Sequence, residues 1–189
     1  MTIESSFAYC ARCGTRLVVG LPPIGSFGGL VEGHEREYCP ACGYVVYHNP
    51  APVGMAVVAD DGRVVLIRRT IPPLKGYWAP PAGHVEIGES VPEATIREAK
   101  EEAGVDVVLD GLLGVYSQAD VKVVIIAYRG RVCGGAPIAG ADAGEVALFA
   151  PGELPFQPPP DPASATATDR WFYGVLQEVT APWREAPRR

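Results

Sequence analysis

One short segment limits the fold more than any other. Ser90-Val91-Pro92-Glu93 has the S-x-x-E form of a helix capping box, with Pro92 in the first turn, where its missing N–H is tolerated. Gly104 suits the left-handed residue that ends a helix, so a helix is predicted over 91–103. It interrupts runs rich in β-branched residues, read as strands at 53–59, 63–68, 105–117, 121–132 and 145–150. The first two flank Asp61-Gly62, a pair suited to the positive φ angles of a tight hairpin. A second helix is predicted over 169–179 with Asp169 as its cap. Trp171, Phe172, Val175, Leu176 and Val179 recur there at the spacing of a core-facing stripe.

The first helix carries an electrostatic problem. At 100° per residue, Glu98, Glu101 and Glu102 fall within an arc of about 100°, and Pro92, Ile96, Ala99 and Ala103 share the opposite, predicted buried, side. Like charges at i, i+3 and i+4 cost roughly 0.2–0.5 kcal/mol per pair, and acids in the last turn also oppose the helix dipole. A divalent cation would turn both penalties into attraction, because hard cations take carboxylate oxygens. A lone E-x-x-E-E is most often a solvated helix face. Here it is embedded in a longer pattern: Gly83, Glu89, Arg97, Glu98, Glu101, Glu102 and Gly104 stand as G-x5-E-x7-R-E-x-x-E-E-x-G, with apolar Ala99 and Val105 at the two hydrophobic positions.

That 23-residue pattern resembles the full Nudix box. The resemblance implies an α/β fold, an α/β/α sandwich with a mixed sheet, whose loop-helix-loop carries the catalytic acids. It also implies divalent-cation-dependent hydrolysis of a nucleoside diphosphate linked to a group X. Glu98, Glu101 and Glu102 would then be ligands of Mg²⁺ or Mn²⁺, with the Gly83 carbonyl a further oxygen ligand. Arg97 and Glu89 would form an orienting ion pair, a role that helix-to-loop bracing matches equally. The general base would be Glu98 or, in the loop beyond the box, Glu145.

Four of five cysteines form two C-x-x-C pairs, Cys10/Cys13 and Cys39/Cys42, each followed by glycine, Gly14 and Gly43. Two-residue spacing lets paired thiolates chelate one ion, and glycine lets the chain turn tightly past the second sulfur. Four thiolates suit a closed, structural Zn²⁺ site, with His34 and His48 not needed as ligands. A thioredoxin-like redox reading is weaker, because neither pair opens a strong helix after a strand. Cys133 stands apart and reads as a small strand residue. Together with the box, the cysteine module resembles the zinc-ribbon Nudix hydrolases, which include pyrophosphatases of NADH, ADP-ribose and FAD.

The expected organisation is a zinc ribbon over 1–50, a Nudix domain over 51–180 and a loose tail over 181–189, with "HNPAP" at 48–52 as a stiff connector. With 48% hydrophobic residues the chain can bury a real core, and its net charge of −6 argues against an extended nucleic-acid-binding surface. Neither a signal-peptide pattern nor a membrane-length apolar run is present, so a cytoplasmic protein without membrane partners is expected. The resemblance favours a homodimer.

The identity of X is not encoded so clearly. Of the S-Q-P-W-P-F-P-x-S motif of NADH pyrophosphatases only Ser117-Gln118 remain, and the proline that marks many ADP-ribose pyrophosphatases is absent. Trp78, Arg68, Arg69 and His84 are the candidate contacts to a small nucleotide substrate, each with an ordinary structural alternative. The rival activities are pyrophosphate release from a noncanonical nucleoside triphosphate, and a nonhydrolytic nucleotide sensor whose zinc ribbon binds a partner.

Overall fold

The computed structural model describes residues 8–23, 25–26, 34–140 and 143–184. The chain divides into two compact units, Met1–Asn49 and Pro50–Arg189.

The first unit holds a small antiparallel sheet of β1 (Val18–Gly20), β2 (Arg36–Tyr38) and β3 (Val45–Val46), in that order. Cys10, Leu17, Cys39 and Val46 form its core, against which Tyr44 packs. Glu37 of β2 is fully buried and meets Nε2 of His48 at 2.7 Å. His48 therefore serves a buried carboxylate, the kind of partner an interior charge requires.

The second unit is built from β4 (Ala51–Asp60), β5 (Arg63–Arg69), β6 (Trp78–Ala79), β7 (Ala82–His84), α1 (Val91–Ala103), β8 (Val105–Tyr116), β9 (Val123–Gly135), β10 (Ala143–Phe149) and α2 (Ala167–Val179). The main sheet runs β10-β5-β4-β9-β8, with β6 on β5 and β7 on β4. Only β4 and β9 pair in parallel, so the sheet is mixed. Asp61 and Gly62 both take positive φ, 47° and 76°, as a two-residue hairpin turn between β4 and β5 requires.

Period-two alternation assigns the two faces of β4 to different helices. Val53, Met55 and Val57 join a core with Phe172, Val175, Leu176 and Val179 of α2. Ala56 and Val58 join another with Ala99 and Ala103 of α1. The result is a sandwich of helix, sheet and helix. Among the described residues, no helix is long and apolar enough to cross a membrane.

Both helices use the same start device. Ser90 caps α1 and Thr166 caps α2, and each is answered three residues on by Glu93 and Asp169. The cap of α2 is thus Thr166 rather than Asp169. Both residue types can cap, but Asp169 takes the reciprocal position inside the helix.

The buried side of α1 also differs from the expectation. Ala94, Thr95, Ala99 and Ala103 are buried, whereas Ile96 is 40% exposed and Pro92 is exposed. The reason lies in β4: a Cβ at Gly54 would collide with Thr95 Oγ1 and stand 3.2 Å from the Val91 carbonyl oxygen. The missing side chain at Gly54 admits the Thr95 side of the helix and rolls Ile96 outward.

Part of the expected loose tail is structured. Ala181–Trp183 forms a 3₁₀ turn, and Trp183 Nε1 donates to the Gly62 carbonyl at 2.9 Å. The remaining tail positions, 185–189, lie outside the described residues.

Candidate active site

Residues 83–89 and α1 are joined by one guanidinium. Arg97 Nε and Nη2 donate to the two oxygens of Glu89 at 3.1 and 2.8 Å, the two-pronged geometry that suits a carboxylate. Nη1 also reaches Glu98 Oε1 at 2.7 Å and Glu101 Oε2 at 2.9 Å, and Nη2 donates to the His84 carbonyl at 3.0 Å. Arg97 therefore serves three carboxylates where sequence reasoning foresaw one. This offsets part of the repulsion that made the acidic face puzzling.

The ionisation of these groups follows from the bonds. Hydrogen bonding to Arg97 brings the Glu89 carboxyl down to about 2, helped by the Glu86 N–H. Hydrogen bonds donated to Glu89 and then to Glu98 push the Arg97 guanidinium further up.

Glu102 is held separately, with Oε2 accepting the Ala82 N–H at 2.8 Å. A Cβ on Gly83 would collide with the Glu98 carboxylate. Glycine at 83 is thus what lets Glu98 lie directly on the β7 backbone. The sheet edge and the helix bring together three kinds of oxygen: two carboxylates aimed at a cleft, a third on its Arg97 flank, and backbone carbonyls of the 83–84 segment. This donor set suits a hard divalent cation.

The cleft has a volume of about 370 Å³. Gly83, His84, Glu98 and Glu102 line it. Arg69, Pro72, Pro73, Trp171 and Phe172 line it as well. Arg69 is fastened, with Nε donating to the Pro73 carbonyl at 2.7 Å and its guanidinium 5.1 Å from the Phe172 ring centre. Burial lowers the pKa of Arg69, and the charge of Glu102 works in the opposite direction.

The remaining candidates lie elsewhere. Arg68 points away from the cleft lining: its Nε donates to the Gly76 carbonyl, and its Nη1 lies 3.6 Å from Glu145 Oε2. Glu145 is paired with Arg68 in the register of β10 on β5 and is half-exposed. Trp78 packs edge-on to Phe149 at 5.0 Å, and its backbone is held on both sides by the buried Gln157 amide. None of Arg68, Glu145 and Trp78 lines the cleft. Conversely, Thr168, Trp171 and Phe172 do line it, although sequence reasoning placed both aromatics in a core stripe. The only available signal was that Trp171 begins the stripe, at its edge.

In the first unit, the Sγ atoms of Cys10, Cys13, Cys39 and Cys42 all lie within 4.8 Å of one another. Cys10 and Cys42 are 3.7 Å apart, Cys13 and Cys39 3.4 Å. Each pair sits in the same backbone turn: Gly14 N–H bonds Cys10 O and Gly43 N–H bonds Cys39 O, with both glycines at φ near 70° (72° and 71°). Tetrahedral ligands at a zinc–sulfur distance of about 2.3 Å would be roughly 3.8 Å apart, so this set fits one ion. The side-chain and then backbone groups of Thr15 bring Cys13 down to about 6. Cys42 is pushed up to about 12 despite the Tyr44 N–H, which lowers it, because burial and the other three sulfurs disfavour its thiolate.

An α/β/α sandwich with three acids on one helix beside a cleft agrees with the family that the comparisons identify. The NUDIX domain profile matches residues 48–172, and the chain belongs to the Nudix family as a Nudix hydrolase. It is 40% identical over 116 residues to an ADP-ribose pyrophosphatase of Methanocaldococcus jannaschii, covering 59% of this chain and 69% of that protein. It is 36% identical over 100 residues to the NAD-capped RNA hydrolase NudC of Pseudomonas aeruginosa, covering 52% of this chain but only 31% of that protein. A Nudix hydrolase structure from Nitrosomonas europaea matches with a TM-score of 0.69 at 29% identity, covering 79% of this chain and 81% of that one.

Proposed function

We propose that the chain hydrolyses the diphosphate linkage of a nucleoside diphosphate joined to X, releasing a nucleoside monophosphate. The substrate is a dinucleotide or a nucleotide sugar, such as ADP-ribose, NADH or FAD. The observation that carries this is the cleft, which Glu98, Glu102 and Gly83 line together with Trp171 and Phe172. A charged, oxygen-binding half and an apolar half match the two halves of such a substrate. The pyrophosphatase relatives support the same reading.

Glu98, Glu101, Glu102 and the Gly83 carbonyl would hold Mg²⁺ or Mn²⁺. When bound, the cations supply positive charge for the diphosphate oxygens and acidity for an attacking water. Arg97 keeps Glu89, Glu98 and Glu101 oriented before substrate arrives. Glu98 is the better-placed proton acceptor, since it lines the cleft and Glu145 does not. His84 and the fastened Arg69 border the same cleft and would contact the phosphates. Cys10, Cys13, Cys39 and Cys42 would hold a structural Zn²⁺, a closed site with no position left for substrate. The domain boundary near residue 50, a cytoplasmic setting and a homodimer complete the proposal.

Product analysis tests it. With Mg²⁺, ADP-ribose or a dinucleotide should give AMP; release of pyrophosphate from triphosphates alone, or no turnover across both panels, would overturn it. Metal analysis of protein purified without chelator should find about one zinc per chain, and Cys39→Ser should abolish it.

A further inference from the structure

The cleft has a second half that the reaction itself does not require. Trp171, Phe172 and Thr168 of α2 face it together with residues 70–73. Pro72 and Pro73 have no backbone N–H. Their carbonyls already accept from Arg69, from Nη2 at 3.4 Å and from Nε at 2.7 Å. Phe172 is 5% exposed and lies beneath that guanidinium. Trp171 is only half-buried, with its ring 6.5 Å from that of Phe172. The exposed Ile71 lines the same cleft. This wall offers a substrate an indole and aliphatic surface, on which the Pro72 and Pro73 carbonyls already accept from Arg69.

The wall is also fixed in place. Asp169 Oδ1 accepts the Leu74 N–H at 3.0 Å, while Oδ2 accepts from the N–H and hydroxyl of Thr166. One carboxylate thus ties the 70–74 segment to the start of α2. A surface ordered before binding loses less on ligand capture.

We propose that Trp171, backed by Ile71 and Pro72, is the stacking platform for the base of the substrate, and that the base is held by its π-face rather than read by hydrogen bonds. This rests on the cleft being the nucleoside diphosphate site. Stacking is tolerant of base identity because every base has a π-face, whereas sharp discrimination needs paired polar groups. The enzyme therefore selects the diphosphate and accepts different bases.

Calorimetric titration of the full chain with AMP, GMP and ribose 5-phosphate in the presence of Mn²⁺ tests this, using wild type, Trp171→Leu and Trp171→Phe. AMP and GMP should bind wild type within about 10-fold of each other. Trp171→Leu should weaken both by about 10- to 100-fold, Trp171→Phe should restore most of the loss, and ribose 5-phosphate should be insensitive to either change. Leucine keeps apolar bulk at the position, so the variant retains its packing. The platform is refuted if Trp171→Leu binds AMP as wild type does, if it weakens ribose 5-phosphate equally, or if wild type does not bind AMP. A preference above about 100-fold between AMP and GMP refutes the tolerance. Parallel hydrolysis of ADP-ribose by wild type separates the two claims: turnover with an inert Trp171 removes the platform alone, and absence of turnover removes the reaction.

Discussion

The two long helices make an instructive pair. Both have 13 residues, both open with a capping box, and they cover opposite faces of one sheet. α1 contributes charge to the cleft and packs with small residues, Ala94, Ala99 and Ala103. α2 contributes rings and packs with large ones, Phe172, Val175 and Leu176. The difference follows from distance to the backbone. α1 must lie close enough to β4 that Thr95 meets Gly54, so its carboxylates reach the β7 backbone. α2 stands off on bulky side chains, which leaves room for a cleft at its N-terminal end.

Replacing the acids of α1 breaks the comparison most sharply. Glu98→Gln and Glu102→Gln should each lower kcat by about 10²–10³ and leave the melting temperature nearly unchanged, since glutamine keeps the shape and removes the charge. Steady-state kinetics with a thermal melt checks this. A variant that keeps wild-type kcat would remove that residue from the catalytic set. No substitution on α2 should produce the same pattern of lost kcat at constant KM.

Packing distance supplies the next test. Gly54→Ala puts a methyl group against Thr95 and the α1 backbone, and overpacking of this kind costs about 1–3 kcal/mol. Gly174→Ala on α2 meets nothing within 4 Å and should be neutral or slightly stabilising, since alanine favours helix. Denaturant melts of both variants would decide, and equal destabilisation would contradict the claim that the helices sit at different depths. The cap hydroxyls come next. Ser90→Ala and Thr166→Ala should each cost about 1 kcal/mol, because each removes an acceptor from an otherwise unpaired N–H of the first turn.

The contrast also explains what could be read in advance. The placement of Glu98, Glu101 and Glu102 on one helix depends on local spacing, and both caps of α1 are local, so the linear order carried them. Gly104 was readable for the same reason. The cleft that Trp171 lines also involves residues 70–73, and Leu74 reaches α2 through a bond between residues 95 positions apart. Periodicity alone places Trp171 on the apolar side without saying that this side ends at a cleft. Ile96 failed in the opposite sense: its position on the helix face was right for burial, but the helix roll is set by Gly54 on another element. Arg68 and Arg69 are neighbours in sequence, and strand alternation sent them to different surroundings, one toward Glu145 and one into the cleft.

The smallest expected effect concerns pH, and it separates the two capping boxes. Glu93 lies below the ordinary carboxylate range because the Ser90 hydroxyl and N–H bond it, both within α1's own first turn. Asp169 is lowered first by the Thr166 hydroxyl and N–H, and further by the Leu74 N–H from another segment. A carboxyl with a depressed folded pKa stabilises the protein above its unfolded pKa, and that stability is lost as pH falls through the folded value. Both caps should therefore weaken only on the acid side. Asp169→Asn should lower the melting temperature at neutral pH, and the gap to wild type should narrow as pH falls below the carboxylate range. Glu93→Gln should show a smaller gap, because glutamine can still serve a capping box and no second segment depends on that side chain. Melting curves from neutral to strongly acid pH decide the matter: a gap for Asp169→Asn that does not change with pH would mean that its carboxylate charge does not hold the 70–74 segment to α2.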